Sequence, residues 1–495
     1  MNQPAPSVPK RPVAWTIASS DPGGGAGIQA DLITFNRLGV HGCSILTGIT
    51  VQNTQTFEHL EPVSTDLIGR QIDALRDDLP PAVIKTGMFG SAEAINLVAA
   101  KLHAIPARVV CDPVLRATLG AHLVDVQTRF NFLERLLPHV HLLTPNTEEA
   151  AQLVEFPVET WDDTERAARH LLDRGAKSVL IKGGHRAGEA VLDFWTDGHR
   201  SAWLSSPRIK TTSQHGTGCT LSSAIAAWMA LGWSDLDAVV LGKAYVNQGL
   251  ARADGLGHGR GPLRLEGPPD QPEFLPCLLD NPDAMPAQAA FGPLVVPLPD
   301  VYPIVDRASW VERLATSGAR MIQLRIKDLA GEALETEIQR TVEIGRTTGA
   351  RVFINDHWLL ALKYGAYGVH LGQDDLEGTD FDALRREGLR LGLSTHGPAE
   401  LARAKTYRPS YLAIGTLFPS PSKTFVHPSL GLERFALLQK LCPRPVVAIG
   451  GITLEKTPSV LAAGADLVSV ISDITAHRKP EGRMREWRDF MNVRG

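Results

Sequence analysis

Short apolar runs separated by amphipathic stretches of helical spacing recur along most of this chain. In the first half the runs are Val13 to Ser19, Cys43 to Thr50, Ala82 to Thr86, Val109 to Val110, Val140 to Leu143 and Ser178 to Ile181, while helical spacing marks Ile28 to Leu38, Thr65 to Leu75 and Thr164 to Arg174. This alternation predicts a three-layer α/β/α domain, a parallel sheet with helices on both faces, whose ligands gather where strands end. Between Gly261 and Pro299 the periodicity lapses into proline-dense sequence, read as a semi-stiff linker with Phe274, Leu275, Leu278 and Leu279 available to pin it to a domain surface. From Asp300 the alternation returns, with strands predicted at Val301 to Val305, Met321 to Ile326, Arg351 to Ile354, Gly368 to Leu371, Arg390 to Ser394, Tyr411 to Gly415, Val446 to Ile449 and Leu467 to Ile471. Such a series over roughly two hundred residues is the signature of a (β/α)8 TIM barrel, whose chemistry sits at the C-terminal strand ends. The plan is therefore a tail at 1–12, an α/β/α domain at 13–260, a linker at 261–299 and a barrel at 300–495.

At 495 residues the chain exceeds one ordinary core, which suggests two to four domains. A net charge of −4 without a basic tract sets nucleic acid aside as the main partner. Met1 to Pro12 is proline-rich and lacks an apolar core, so it reads as a disordered tail, and no apolar run is long enough to span a bilayer. A cytoplasmic protein is expected. Cys43, Cys111, Cys219, Cys277 and Cys442 are scattered without CxxC spacing, as in a reducing compartment and without a zinc site. Oligomeric state is not written in the residues, and a homo-oligomer stays open.

The candidate chemistry of the first domain centres on TTSQHGTGCT, Thr211 to Thr220, which precedes the helical run Leu221 to Leu231. Gly216, Thr217 and Gly218 at a helix entrance would present backbone N–H groups to an anion. The same position is expected to lower the pKa of Cys219 and make it a candidate base. The alternative is a glycine-capped helix start with a small buried cysteine. Asp112, Asn146, Glu149 and Lys182 each lie just beyond an apolar run, where carboxylates and an amide could order magnesium and a lysine could neutralise phosphate. Asn146 with Glu149 also has the form of a helix N-cap with its N3 acid. The turn Ser20 to Gly27 is too glycine-dense and wrongly spaced for a dinucleotide fingerprint.

Taken together, SDPGGGAGIQAD (Ser20 to Asp31), TVQNT, KTGM, CDPV, TPN, IKGGH and HGTGC stand in an order that closely resembles the hydroxymethylpyrimidine/phosphomethylpyrimidine kinases of the ribokinase-like superfamily, from about Val13 to Leu250. The resemblance implies two successive ATP-dependent phosphorylations of 4-amino-5-hydroxymethyl-2-methylpyrimidine. By carry-over, Asp31 and Gln52 face the aminopyrimidine edge, Met88 packs near the ring, and Cys219 stands where related sugar kinases keep an aspartate base.

In the barrel, the polar strand ends are Gln323-Leu324-Arg325-Ile326-Lys327, Asn355-Asp356, Gly372 to Asp375, Ser394 to His396, Ser420-Pro421-Ser422-Lys423, Gly450 to Ile452 and Ile471-Ser472. Cations, separated carboxylates and amide-rich turns of this kind suit a doubly phosphorylated ligand with magnesium. This half resembles the thiamine phosphate synthases from about Asp300 to Phe490. The resemblance implies that Gln323 to Lys327 and Asn355 hold a pyrimidine diphosphate, Asp356 and Asp375 coordinate Mg2+, and Ser394 lies by the substrate. It implies further that Ser420, Pro421, Ser422, Lys423, Gly451, Ile471 and Ser472 surround the thiazole phosphate, with Lys327 and Lys423 assisting departure of pyrophosphate. Ile326 departs from the glutamate usual in the family, and Ser420 and Ser422 replace common threonines. Alternatives at this point are a pyridoxal-type kinase joined to a thiazole tautomerase-like barrel, or to a barrel that only binds thiamine phosphate.

Overall fold

The computed structural model describes residues 11–114, 126–184, 186–284, 286–419, 429–443 and 445–493, in two compact units. In the first unit the strands are β1 (Val13–Ser20), β2 (His41–Gln52), β3 (Phe57–Pro62), β4 (Val83–Thr86), β5 (Arg108–Cys111), β6 (Leu142–Leu143), β7 (Ser178–Ile181), β8 (Ala190–Thr196), β9 (Ser201–Pro207) and β10 (Cys277–Leu279). They form one sheet in the order β10-β9-β8-β7-β6-β5-β4-β1-β2-β3. The predicted runs became the parallel centre, β7-β6-β5-β4-β1-β2, buried because helices cover both faces. This is the expected ribokinase-like three-layer architecture.

The edges are antiparallel and were not foreseen. β3 folds back on β2, and β8 pairs with both β7 and β9. The β8-β9 hairpin turns at Asp197, whose carboxylate accepts the backbone N–H groups of His199 at 3.0 Å and Arg200 at 2.7 Å. Such a local carboxylate-to-backbone turn fixes the register of the strands it joins. Trp195, Trp203 and Leu204 are buried in it.

The expected linker at 261–299 is largely packed rather than free. Residues up to Pro269 and Phe274–Ala284 belong to the first unit, and β10 pairs antiparallel with β9. Phe274 and Leu275 are buried, and Asn247 Nδ2 donates to the Phe274 carbonyl at 2.8 Å. Burial of these apolar side chains offsets the chain entropy that a proline-rich connector would otherwise keep.

The second unit is a closed barrel of parallel strands in sequence order: β11 (Asp300–Val305), β12 (Met321–Leu324), β13 (Arg351–Asn355), β14 (Gly368–Leu371), β15 (Arg390–Thr395), β16 (Tyr411–Gly415), β17 (Val446–Ile449) and β18 (Leu467–Val470), with β18 pairing back to β11. Tyr302, Phe353 and Tyr411 fill its interior, with ring centroids 5.3 to 6.0 Å apart and edges turned to faces. Glycine at 392 leaves the space that Tyr411 needs, since a Cβ there would lie 2.1 Å from the ring. Strand β12 ends at Leu324, two residues short of the predicted end, so Arg325 and Ile326 lie in the loop at the barrel mouth.

Candidate active sites

A cleft of about 450 Å³ opens at the C-terminal ends of the parallel strands of the first unit. The helix Thr217–Ala230 enters it through Gly216, whose φ of 76° is a left-handed conformation that glycine adopts without strain. Gly216, Thr217, Gly218 and Cys219 all line the cleft. A Cβ on Gly218 would lie 3.1 Å from Asp112 Oδ2 and 3.2 Å from Lys182 Nζ, so the helix entrance is set directly against the polar strand ends.

Lys182 Nζ donates to Asp112 Oδ1 at 2.8 Å and lies 3.8 Å from Glu149 Oε2. Burial pushes the Glu149 carboxyl up to about 7; Lys182 opposes that shift and the Asp112 carboxylate adds to it. Asn146 and Glu149 form the reciprocal N-cap that the sequence suggested, Asn146 Oδ1 accepting from Glu149 N and Glu149 Oε2 from Asn146 N, both at 2.8 Å. Both also line the cleft, so the cap aims the acid at the site. Gln52 and Met88 lie along the same cleft.

Two expectations are overturned. Cys219 does not have the acidic thiol expected of a helix entrance: burial pushes it up to about 11, Lys85 opposing and the carboxylates of Asp31 and Asp112 adding to the rise. Here desolvation outweighs the helix dipole, which acts only over a short range. Asp31, expected at the aminopyrimidine edge, does not line the cleft. It is fully buried on the helix Gly27–Arg37, where Oδ2 accepts from Thr16 Oγ at 2.6 Å and Lys85 Nζ at 2.8 Å, and Oδ1 accepts from Ser223 Oγ. There it pairs with Lys85.

The sequence assigned no role to Lys85 or Asp21. Burial opposes the charge on Lys85, but Asp31, Cys219 and Asp112 around it together outweigh this and raise its pKa, leaving a fixed cation on the cleft wall. Asp21 Oδ2 accepts from His215 Nε2 at 2.8 Å and from the N–H groups of Gly25 and Ala26, while Oδ1 accepts from Gly23 N. Burial opposes ionisation, yet the hydrogen bonds from His215, Gly23 and Ala26 hold the Asp21 carboxyl at about 2. One carboxylate thus ties the glycine turn to the helix entrance 194 residues later.

At the mouth of the barrel, Lys327 Nζ pairs with Asp356 Oδ2. Asp375 Oδ2 accepts from Gly372 N at 2.8 Å. Burial raises the Asp375 carboxyl, the adjacent Asp356 carboxyl adds to the rise, and the Gly372 N–H and Lys327 oppose it. Asn355 is buried at the end of β13 and Arg325 is half-buried, its N–H donating to Val305 O at 2.7 Å. Leu324 and Ile326 are buried, which leaves the family's glutamate position filled by packing. Gln323 is buried in the interior, with Nε2 donating to Tyr302 Oη at 3.1 Å. Ser394 Oγ lies 2.8 Å from His370 Nε2. Gly451 follows β17, and the exposed Ile471 and Ser472 follow β18 at the start of a short helix. Ser420, Pro421, Ser422 and Lys423 lie outside the described residues.

His370 is buried on β14, a residue to which the sequence assigned no role. Burial lowers its pKa to about 4, the Asp356 carboxylate opposing and Arg325 contributing. Among the described residues no three His, Cys, Asp or Glu side chains gather as a complete metal site. The crowded carboxylates Asp356 and Asp375, like Asp112 and Glu149, nevertheless fit a divalent ion held partly by phosphate oxygens, since such a cation offsets the burial and the mutual repulsion that raise Asp375 and Glu149. No helix among the described residues is long and apolar enough to cross a membrane.

Residues 21–264 match the family model described as phosphomethylpyrimidine kinase, and residues 301–474 the one described as thiamine monophosphate synthase. The chain is 33% identical over 490 residues to the thiamine biosynthetic bifunctional enzyme TH1, chloroplastic, of Arabidopsis thaliana, covering 95% of this chain and 90% of that protein. It is 43% identical over 255 residues to the hydroxymethylpyrimidine/phosphomethylpyrimidine kinase of Rhizobium meliloti, with 51% of this chain and 96% of that one covered. Over 176 residues it is 50% identical to the thiamine-phosphate synthase of Klebsiella pneumoniae, with 35% of this chain and 83% of that one covered.

Proposed function

The chain belongs to the family of bifunctional thiamine biosynthetic enzymes, and from that premise we propose how its residues divide the chemistry. It is a bifunctional enzyme, a hydroxymethylpyrimidine and phosphomethylpyrimidine kinase in its first part and a thiamine-phosphate synthase in its second. The observation that carries the reading of the first site is the approach of Gly218 to Asp112 and Lys182, which sets anion-binding amides against a cation and two carboxylates.

In the kinase cleft, Gln52 and Met88 seat the aminopyrimidine. The amides of Gly216, Thr217 and Gly218 receive the transferred phosphoryl group, and Lys182 neutralises it. Cys219 faces the attacking hydroxymethyl oxygen. Because its thiol is protonated at rest, it orients the hydroxymethyl oxygen as a hydrogen-bonding partner beside the fixed charge of Lys85, and the alcohol proton passes to an oxygen of the transferred phosphoryl group as the new P–O bond forms. The second phosphorylation needs no such step, because a phosphate monoester is already an anion. Asp112, Glu149 and Asn146 would hold Mg2+ with ATP.

In the barrel, Asp356 and Asp375 would hold Mg2+, which supplies charge stabilisation for a departing pyrophosphate. Arg325 and Lys327 bind the same oxygens, and Lys423 is assigned to them from the sequence. Loss of pyrophosphate leaves cationic character on the pyrimidine methylene, where the thiazole nitrogen bonds; no strong protein base is required. Gly451, Ile471 and Ser472 offer amides to the thiazole phosphate. None of the five cysteines forms a disulfide, which fits a cytoplasmic setting.

The test is a single incubation of purified protein with the pyrimidine alcohol, hydroxyethylthiazole phosphate, ATP and magnesium. Thiamine phosphate and pyrophosphate should form together. Substituting pyridoxal for the pyrimidine alcohol should give little phosphorylation, and preferred turnover of pyridoxal would refute the substrate assignment.

A further inference from the structure

A line of hydrogen bonds crosses the barrel interior behind Ser394. Gln323 Nε2 donates to Tyr302 Oη at 3.1 Å, Tyr302 Oη lies 2.9 Å from Tyr411 Oη, Tyr411 Oη lies 2.7 Å from His370 Nδ1, and His370 Nε2 lies 2.8 Å from Ser394 Oγ. Tyr302, Tyr411, Gln323 and His370 are buried, and glycine at 392 makes the room that Tyr411 occupies. A barrel core can be filled with apolar side chains alone, so an ordered polar chain through it calls for a reason.

One direction gives every hydroxyl hydrogen of the line a partner. The Gln323 amide nitrogen donates to Tyr302 Oη, which then turns its own hydrogen to Tyr411. Tyr411 in turn donates to His370 Nδ1, which in this arrangement is unprotonated. The ring carries its hydrogen on Nε2 and donates to Ser394 Oγ. Ser394 is then engaged as an acceptor from behind, and its own hydroxyl hydrogen is free to turn toward the barrel mouth.

We propose that His370, locked as the Nε2–H tautomer by Tyr411, Tyr302 and Gln323, is a positioning residue that makes Ser394 a hydrogen-bond donor toward an acceptor atom of the bound pyrimidine diphosphate. This deepens the synthase reading and rests on it. A serine free to rotate presents donor and lone pair alike, whereas a serine polarised from behind selects an acceptor and loses no rotor freedom on binding. Tyr302 and Tyr411 touch no substrate; they act through His370.

The test uses the full chain. Tyr411→Phe keeps the ring and removes the hydroxyl. It should lower synthase kcat/KM about tenfold, the scale of one buried hydrogen bond, with kinase turnover of the same preparation unchanged. In a Ser394→Ala background the same substitution should have no further effect, because the path ends at the serine. An equal loss in both backgrounds would mean that Tyr411 supports packing only, and would overturn the proposal. Independently of activity, nitrogen NMR of labelled histidine, assigned by loss of the signal in His370→Gln, should show protonated Nε2 and bare Nδ1 in the parent and a mixed tautomer in Tyr411→Phe. A parent with protonated Nδ1 reverses the chain and overturns the proposal even if synthase turnover is normal. Absence of synthase activity in the parent would instead defeat the underlying functional reading, which the NMR result does not depend on.

Discussion

Lys85 Nζ sits 2.8 Å from Asp31 Oδ2, and both side chains are wholly excluded from water. The pair spans β4 and the helix after the glycine turn, and it places a permanent cation beneath Cys219. A buried pair loses much of its attraction to desolvation, but removing one partner strands the other. Asp31→Ala should therefore cost roughly 3 to 5 kcal/mol of first-unit stability, read as a shift in the denaturant midpoint. A substrate-contacting Asp31 would instead raise KM with the midpoint unchanged.

Cys219→Ala should slow phosphorylation of the alcohol far more than phosphorylation of the monophosphate. Because burial holds the thiol at about 11, alkylation by iodoacetamide at neutral pH should be slower than for a free thiol and should climb steeply as pH rises toward that value. Rapid alkylation at pH 7 would restore the acidic thiolate.

Asp21 gives a pH dependence whose sign is fixed. Its carboxyl falls from 3.8 to about 2 on folding, so its contribution is fully present above about 4 and is lost as pH falls from there toward 2. A shift of that size amounts to about 2 kcal/mol. Asp21→Asn should lower first-unit stability by about that much at pH 6 and match the parent near pH 2, as followed by urea denaturation at each pH.

Lys327→Ala and Asp375→Ala should each lower synthase turnover by at least about tenfold, that is by about 1.4 kcal/mol or more of electrostatic stabilisation, with the far-ultraviolet circular dichroism unchanged. The Lys327 pair with Asp356 is exposed on the lysine side, so its loss should hardly alter stability. Undiminished turnover in both variants would remove them from the pyrophosphate site.

Much of this layout was legible in the residues, for a physical reason. A parallel strand buried on both faces is an uninterrupted apolar run, so the polar residue that ends it is conspicuous, and Asp112, Asn146, Lys182, Asp356 and Ser394 all announce themselves in this way. The barrel followed from the spacing of such runs. Asp31 was carried to the aminopyrimidine edge by resemblance, and the sequence offered no check, because an acid after a glycine turn looks the same whether it faces a ligand or a lysine 54 residues away. The thiol of Cys219 was misjudged because local helix polarity is written in sequence and burial is not. Strands β8 and β9 escaped notice because edge hairpins depend on turn chemistry at Asp197 more than on apolar runs. The Tyr302 to Ser394 line joins residues from four strands, and no spacing along the chain encodes it.

The central claim is that the first site installs on one pyrimidine the diphosphate that the second expels. It is tested most directly by incubating Asp375→Ala with the pyrimidine alcohol, thiazole phosphate, ATP and magnesium, then adding Lys182→Ala protein. The first step should accumulate the pyrimidine diphosphate with little thiamine phosphate, and the addition should convert it to thiamine phosphate with release of pyrophosphate. Failure of the diphosphate to accumulate, or its persistence after the second protein is added, would contradict the account.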